Sequence, residues 1–352
     1  MKSHKKLFTI IKVVLIALLV ISVLIFIVVR VISKNSYQRV DKPQYTYNYY
    51  YEHYSDRYPR KEVKINTDRE ELTAFIYGEE NTKALLVFSH GSGGFHEDYM
   101  KDITWFVDHG YRVFAADYTA SGHSEGTYTG GLSRTPIDLD QVLTFIENDE
   151  ELSKMDKVLY GHSWGAYGVT AVLNYEHDIK AVVSLAAYNA PAQQITNILS
   201  RTLSPVLKIT EPFFWLNNVI DYGKYGNLTA VDGINKSNIP VLIVQGTGDQ
   251  MISYEESSLV AFKDKITNPN VEYLIISEDG LNDHDSFFYT REGNTIIKAF
   301  NEKKGQLLQQ YNGKIPDEEL KKLYDEVDKE ELNKPNEEFL KRMELFIEKS
   351  IH

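Results

Sequence analysis

A serine at 163, an aspartate at 249 and a histidine at 284 are the residues whose types and surroundings could act together chemically. Ser163 stands in Gly161-His162-Ser163-Trp164-Gly165, directly after the apolar run Val158-Leu159-Tyr160 and before Ala166-Tyr167-Gly168. A strand that ends in Gly-x-Ser-x-Gly and turns at once into a helix holds its serine at strained backbone angles, and the two glycines give the clearance that such a turn needs. The first N–H groups of the helix then face any oxyanion formed beside the serine. A serine hydroxyl is a weak nucleophile at neutral pH and needs a base to take its proton. Histidine, with an unperturbed pKa of about 6.5, suits that task. A carboxylate on the far ring nitrogen fixes the tautomer and stabilises the imidazolium.

Of the ten histidines, His284 follows the last expected strand, in the polar loop that runs from Glu278. His4, His53 and His352 lie outside the expected core. His90 and His162 flank glycines and read as turn-shaping, and His96, His109, His123 and His177 belong to no late-strand loop. Asp249 follows the apolar run 241–245 through Gly246-Thr247-Gly248, so a buried strand opens into turn residues and delivers a carboxylate at its end. Asp279, Asp283 and Asp285 are alternatives, but their closeness to His284 suits loop solvation or capping. Asp117 comes early in the chain and reads as structural. A second Gly-x-Ser-x-Gly, from Gly122 to Gly126, begins well past the end of its strand and runs on into Gly126-Thr127-Tyr128-Thr129-Gly130-Gly131, which will not form a helix. It lacks both the sharp turn and the dipole, so Ser124 reads as a loop residue near the site.

The elements that must position these residues alternate. Residues 62–65 and 72–77 predict two antiparallel strands, and 83–88 a central strand buried on both faces. Helices are expected at 98–109, 136–148 and 255–265, and strands at 111–117, 179–186, 241–245 and 271–276. This is an α/β pattern, with a mainly parallel sheet flanked by helices. From about 187 to 236 the alternation breaks. Residues 191–200 are helical in pattern, and Pro212-Phe213-Phe214-Trp215-Leu216 is an apolar cluster. The expectation is a helical cap insertion whose aromatics favour an apolar acyl or aryl group; burial of the cluster in the core is the alternative. Two later stripes, Leu320, Leu323, Tyr324 and Val327, then Phe339, Leu340, Met343, Phe346 and Ile347, predict helices packed on the sheet.

With these motifs in this order the chain resembles the α/β-hydrolase superfamily, from roughly residue 61 to the carboxyl end apart from the insertion. Within it, the chain looks most like the bacterial esterase and serine-aminopeptidase-like (S33-like) branch. The resemblance rests on His90-Gly91 after the third strand, Asp117 after the fourth, the Gly161 to Gly165 turn, Gly246-Thr247-Gly248-Asp249, and His284. It implies the α/β-hydrolase fold, a triad of Ser163, Asp249 and His284 in that order, and an oxyanion hole from the backbone N–H groups of Trp164 and Ser92. The implied reaction is hydrolysis of a carboxylic ester or related acyl bond in a small acyl substrate. A peptidase or amidase would use the same triad and need acids in the insertion to hold the substrate amine; Glu211 and Asp221 are the few candidates. A binding protein that retains the fold, and acyl transfer to an acceptor other than water, are the remaining classes. No cofactor is expected. No metal site is expected either, because His-Glu-x-x-His and histidines at ligand spacing are missing.

The formal net charge of -12 leaves no basic stretch to neutralise phosphates and argues against a nucleic-acid partner. Without cysteine, thiolate catalysis and disulfides are excluded. Residues 7–29 are apolar except for Thr9, Lys12 and Ser22, about long enough to cross a bilayer, and the run ends without the small-residue cleavage site of a signal peptide. The expected organisation is a short basic tail (1–6), a transmembrane anchor (7–32), a Tyr-rich linker (33–59) and an α/β-hydrolase domain (60–352) with its cap at about 187–236. Lys2, Lys5, Lys6 and Lys12 nearly balance Arg30, Lys34, Arg39 and Lys42 across the span. A very short basic tail stays in the cytoplasm, which makes this a single-pass protein of the cell membrane with its catalytic domain outside. The seven tyrosines between 45 and 58 predict a segment that covers the domain or lies at the membrane interface, with a carbohydrate-stacking surface as the alternative.

Overall fold

The computed structural model describes residues 2–67 and 69–351, with side chains from residue 5 onward; Met1, the side chains of residues 2–4 in the basic tail, and His352 lie outside the described residues. A long helix, α1 (Lys2–Asn35), and a single turn, α2 (Tyr51–Tyr54), precede the sheet. Its strands are β1 (Arg60–Asn66), β2 (Glu71–Tyr77), β3 (Leu85–Ser89), β4 (Arg112–Ala116), β5 (Lys157–His162), β6 (Ala181–Leu185), β7 (Val241–Gly246) and β8 (Val271–Ile276). They pair in the order β1-β2-β4-β3-β5-β6-β7-β8. The β1–β2 and β2–β4 pairs are antiparallel and the rest parallel. The helices between and after the strands are α3 (Met100–Asp108), α4 (Thr135–Asn148), α5 (Trp164–Ala171), α6 (Pro191–Thr202), α7 (Glu211–Tyr222), α8 (Ala230–Ser237), α9 (Arg291–Gln310), α10 (Asp317–Asp325), α11 (Lys329–Leu332) and α12 (Glu337–Ile351).

Successive strand residues point to opposite faces, so a strand covered on both sides must be apolar throughout. In β3, Leu85 and Val87 belong to the same buried cluster as Leu139, Leu143 and Ile146 of α4 and Val169 of α5. Their neighbours Leu86 and Phe88 belong to the opposite cluster, with Ile103 and Phe106 of α3 and Leu340, Met343 and Ile347 of α12. The expected α/β sheet, flanked on both faces, is therefore present, and the second of the two late stripes packs on it.

Two expectations need correction, and one helix lies outside them. The backbone at 255–258 does not form a helix. Asn189 donates to the Ser257 carbonyl and Leu259 to that of Ala187, so only a 3₁₀ stretch follows, Leu259–Lys265. The long helix α9 was not expected: its apolar positions Ile296, Phe300 and Leu307 are interrupted by the polar run 301–306, and it buries only Gly293 and Phe300. The first late stripe packs on α9 rather than on the sheet: Phe300 and Tyr324 have ring centroids 5.0 Å apart, and Leu323 lies in neither sheet cluster.

The tyrosine segment is what covers α10. Tyr45 and Tyr47 stack on Tyr324, and Tyr47 meets Phe300 edge-on. Tyr50 is buried, stacks on Phe95 and donates to Asp98 Oδ1 at 3.1 Å. Asn333 ties the same segment from both sides, accepting from the Tyr49 amide and donating to the Tyr47 carbonyl. Upstream, the Arg39 guanidinium donates to the carbonyls of Gly122, Ser124 and Gly126. The second Gly-x-Ser-x-Gly is thus a platform for the chain leaving α1. Tyr50→Ala is expected to lower unfolding free energy by about 3 kcal/mol, as for other large-to-small core changes. Denaturant titration of the detergent-solubilised protein checks this; a loss below about 1 kcal/mol would mean that the segment is not integral to the fold.

Candidate active site

In a parallel sheet the strand carboxyl ends share one edge, and ligands collect there. β3 delivers His90-Gly91-Ser92 to that edge, β5 delivers Ser163, and the turns after β7 and β8 deliver Asp249 and His284. Ser163 has φ 54° and ψ -113°, a conformation that costs a non-glycine residue about 1–3 kcal/mol. It is held by its amide, which donates to the Leu185 carbonyl at 2.8 Å, and by its own carbonyl, which accepts from the Tyr167 amide at 3.0 Å. A Cβ on Gly161 would stand 2.5 Å from the Gly165 oxygen, and one on Gly165 would stand 2.1 Å from the Ser89 oxygen. Both glycines are therefore required by contact.

The fold brings the three expected side chains into one line. His284 Nε2 lies 3.0 Å from Ser163 Oγ, and its Nδ1 lies 2.8 Å from Asp249 Oδ2. With Nδ1–H donated to the carboxylate, Nε2 is left to accept the serine proton. Asp249 is itself fixed: Oδ1 accepts from the Met251 and Ile252 amides at 2.8 Å, and Oδ2 accepts from Gln245 Nε2 at 3.0 Å. Burial alone would lower the His284 pKa. The hydrogen bond and charge of Asp249, with the charges of Asp285 and Asp283, outweigh it and hold the pKa above the ordinary value. Ser92 and Trp164 both line the cavity beside Ser163. Among the described residues neither amide N–H has a hydrogen-bond acceptor in the protein, so both are available to an oxyanion. The Trp164 indole is anchored by donating to the Leu132 carbonyl.

The cavity measures about 610 Å³. Its walls include residues that sequence reasoning did not single out. Tyr37, Tyr47 and Asn48 come from the segment before the sheet, Gln194 and Ile198 from α6, and Asp98, Lys101 and Asp102 from α3 and the turn before it; Asp285, one of the alternatives to Asp249, lines it as well. Tyr99 also lines it. Its hydroxyl accepts from the Gly91 amide at 3.0 Å and lies 2.9 Å from His162 Nδ1, which fastens the Ser92 loop to the β5 turn. Burial, then the neighbouring His284, keeps His162 far below its usual pKa, hence neutral. A polar residue closing an apolar strand was the available signal for Gln245; a tyrosine inside an expected helix offered none for Tyr99.

Other expected residues lie elsewhere. Neither Glu211 nor Asp221 lines the cavity, and Asp221 pairs with Arg30 of α1 at 2.6 Å. The Pro212 to Leu216 cluster does not line it either, because α7 turns Phe213 and Phe214 toward α1 and leaves Trp215 and Leu216 exposed. Ser124 is buried outside the cavity, donating to the Asp117 carbonyl and accepting from the Thr73 amide. Asp117 accepts from the amides of His96 and His123 and meets both rings, a structural knot. Asp283 accepts from the Gln250 and His284 amides and so caps its loop. Because His284 must be neutral to accept a proton, any activity that depends on it should fall as pH drops through its raised pKa. Asp285→Asn removes one of the charges that raise it, so the acid limb of a kcat/KM profile should move to lower pH; a limb that stays put or moves up contradicts this electrostatic picture.

Residues 80–224 match the family model Hydrolase_4, serine aminopeptidase, S33. The uncharacterized protein YfhR of Salmonella typhi is 26% identical over 183 residues, 51% of this chain and 58% of that protein, and YfhR of Salmonella typhimurium matches to the same extent. The chain thus spans 58% of the length of these curated relatives. Among solved structures, the Pyrococcus furiosus esterase Pf2001 superposes with a TM-score of 0.53 at 18% identity, over 78% of this chain and 98% of that one. With the strand order and the turn after β5, these likenesses lead to one conclusion: the chain has the α/β-hydrolase fold, and its central stretch matches the S33 serine aminopeptidase family.

Proposed function

We propose that this protein is a membrane-anchored serine hydrolase that cleaves a carboxylic ester or related acyl bond through an acyl-enzyme. The observation that carries this reading is the unbroken relay from Ser163 Oγ through His284 to Asp249, with links of 3.0 and 2.8 Å, beside a cavity able to hold an acyl group. Ser163 Oγ attacks the acyl carbon while His284 Nε2 takes its proton, and Asp249 stabilises the imidazolium. The Ser92 and Trp164 amides meet the oxyanion, each donor contributing about 10²–10³ in rate. The imidazolium then protonates the departing alcohol oxygen as the C–O bond breaks, leaving the acyl group on Ser163. Water enters, gives a proton to His284 and attacks the acyl carbon. The acid departs and Ser163 regains its proton. No step calls on a cofactor or metal, and a small acyl compound rather than nucleic acid is the partner.

Residues 7–32 are the anchor in this reading, 33–59 a linker docked on the catalytic domain, and 60–352 that domain, with its cap at about 187–236. Support for the anchor comes from the helix Lys5–Asn35, with mean hydropathy 3.3 over its most apolar window. The basic tail is assigned to the cytoplasm and the catalytic domain to the outside of the cell membrane.

A second reading, an aminopeptidase or amidase with the same triad, is favoured by the carboxylates at the cavity. Burial pushes the carboxyls of both Asp102 and Asp285 up and weakens each as an amine acceptor. Asp285, with its side chain 62% exposed beside His162, is the better candidate. The test is turnover by full-length protein in detergent of p-nitrophenyl esters and aminoacyl p-nitroanilides. Ester turnover that falls by about 10⁴-fold or more in Ser163→Ala is expected. Anilide turnover that exceeds ester turnover and is lost in Asp285→Asn would select the peptidase. Folded protein that turns over neither would leave a binding protein that retains the fold.

A further inference from the structure

The helix α7 has two apolar faces, and the described residues cover only one. Phe213 and Phe214 join Ala192, Ile195 and Leu199 of α6 and Ile25 and Val29 of α1 in one cluster. At the carboxyl end of α7, Asp221 and Asn217 hold Arg30 at 2.6 and 3.1 Å. On the other side, Trp215, Leu216 and Ile220 are 40–56% exposed, and the segment leading into α7 exposes Leu203, Val206 and Ile209 at 69–73%. Six large apolar side chains on one short stretch of chain form a patch that water does not favour.

Depth along α1 says what covers it. A helix rises about 1.5 Å per residue, so about 20 residues cross a hydrocarbon core about 30 Å thick. Counted from Leu7, the apolar run leaves that core at about Phe26, inside the stretch that α6 and α7 grip at Ile25, Val29 and Arg30. Elements packed on those residues lie within about one helical turn of the hydrocarbon. Beside them Val28, Val31 and Ile32 of α1 are also exposed, which continues the apolar surface. Charge agrees: the whole chain carries -12, whereas residues 187–236 hold four cations and three acids, one of them already paired with Arg30. The cap is thus repelled less by anionic headgroups than the acidic chain as a whole, although Lys208 pairs with Glu256. Trp215, amphipathic and half-exposed, is a side chain that favours such an interface.

We propose that the exposed face of 203–220 is seated in the headgroup region of the bilayer that holds α1. The proposal rests on the reading of α1 as a membrane span. Its consequence is that α6, which lines the cavity through Gln194 and Ile198, holds the cavity beside the membrane surface.

The chain carries its own reporter. Of its three tryptophans, Trp105 and Trp164 are buried and Trp215 is exposed. Full-length protein is reconstituted into phosphatidylcholine–phosphatidylglycerol vesicles with and without lipids brominated at acyl carbons 6 and 7. Flotation after an alkaline wash tests the anchor first; failure to float overturns the anchor reading and this proposal with it. For protein that floats, the expected result is loss of most Trp215 emission in brominated vesicles, a loss absent in Trp215→Phe. Floated protein whose Trp215 emission is the same in both vesicle types overturns the docked face and leaves the anchor standing. Concentration-dependent dimer cross-links at 203–220 that disappear in Val206→Glu, without quenching by brominated lipid, would assign the face to a second copy instead.

Discussion

The close approach of α5 to the end of β3 is the contact on which the site depends. Gly165 sits so near the Ser89 carbonyl that no Cβ fits between them. That contact fixes the start of α5 against the loop that follows β3. As a result the Trp164 amide, at the first turn of α5, and the Ser92 amide, from that loop, open onto one cavity. The same turn forces Ser163 to a positive φ, and the strain persists because the Leu185 and Tyr167 backbones clamp it from both sides. A larger residue at 161 or 165 would move the helix before it touched the serine.

His284 and Asp249 enter from the far side of the sheet edge, and their geometry is secured separately. Three donors other than His284 hold the Asp249 carboxylate, so it cannot swing away from the ring. Burial works against a protonated His284, and Asp249 supplies the opposing field. A histidine held this way holds a proton more readily than a free imidazole, as a base facing a hydroxyl requires. Tyr99 gives the loop after β3 a comparable support by joining Gly91 to His162.

The parts of this arrangement differ in how far the chain alone discloses them. Apolar runs such as Leu85 to Phe88 must be strands buried on both faces, and Ser163 and Asp249 each follow such a run; His284 follows the half-buried edge strand β8, so local pattern locates all three. The amide of Ser92 was reached only through resemblance, because a backbone donor leaves no mark on residue type. Beyond Ser92, Ser163, Trp164 and His284, most of the cavity wall was not legible. Tyr37, Tyr47 and Asn48 come from a segment that pattern assigns to a linker, and only tertiary docking brings them to the site, on Phe95, Asp98 and Asn333 for residues 47–50 and on the Thr129 amide for Tyr37. Phe213 and Phe214 show the converse: their apolar character was plain, but nothing local says that their partner is α1 rather than a substrate. The long helix α9 escaped because a helix lying on the surface needs few buried residues.

The central claim is that Ser163 is the group activated by His284. Its most direct test is peptide mapping by mass spectrometry after reaction of the folded, full-length protein with a fluorophosphonate. The account predicts a single phosphonyl adduct on the peptide that holds Ser163, formed more slowly when Asp249 is replaced by Asn. An adduct on the Ser124 peptide, or none on folded protein, would contradict it.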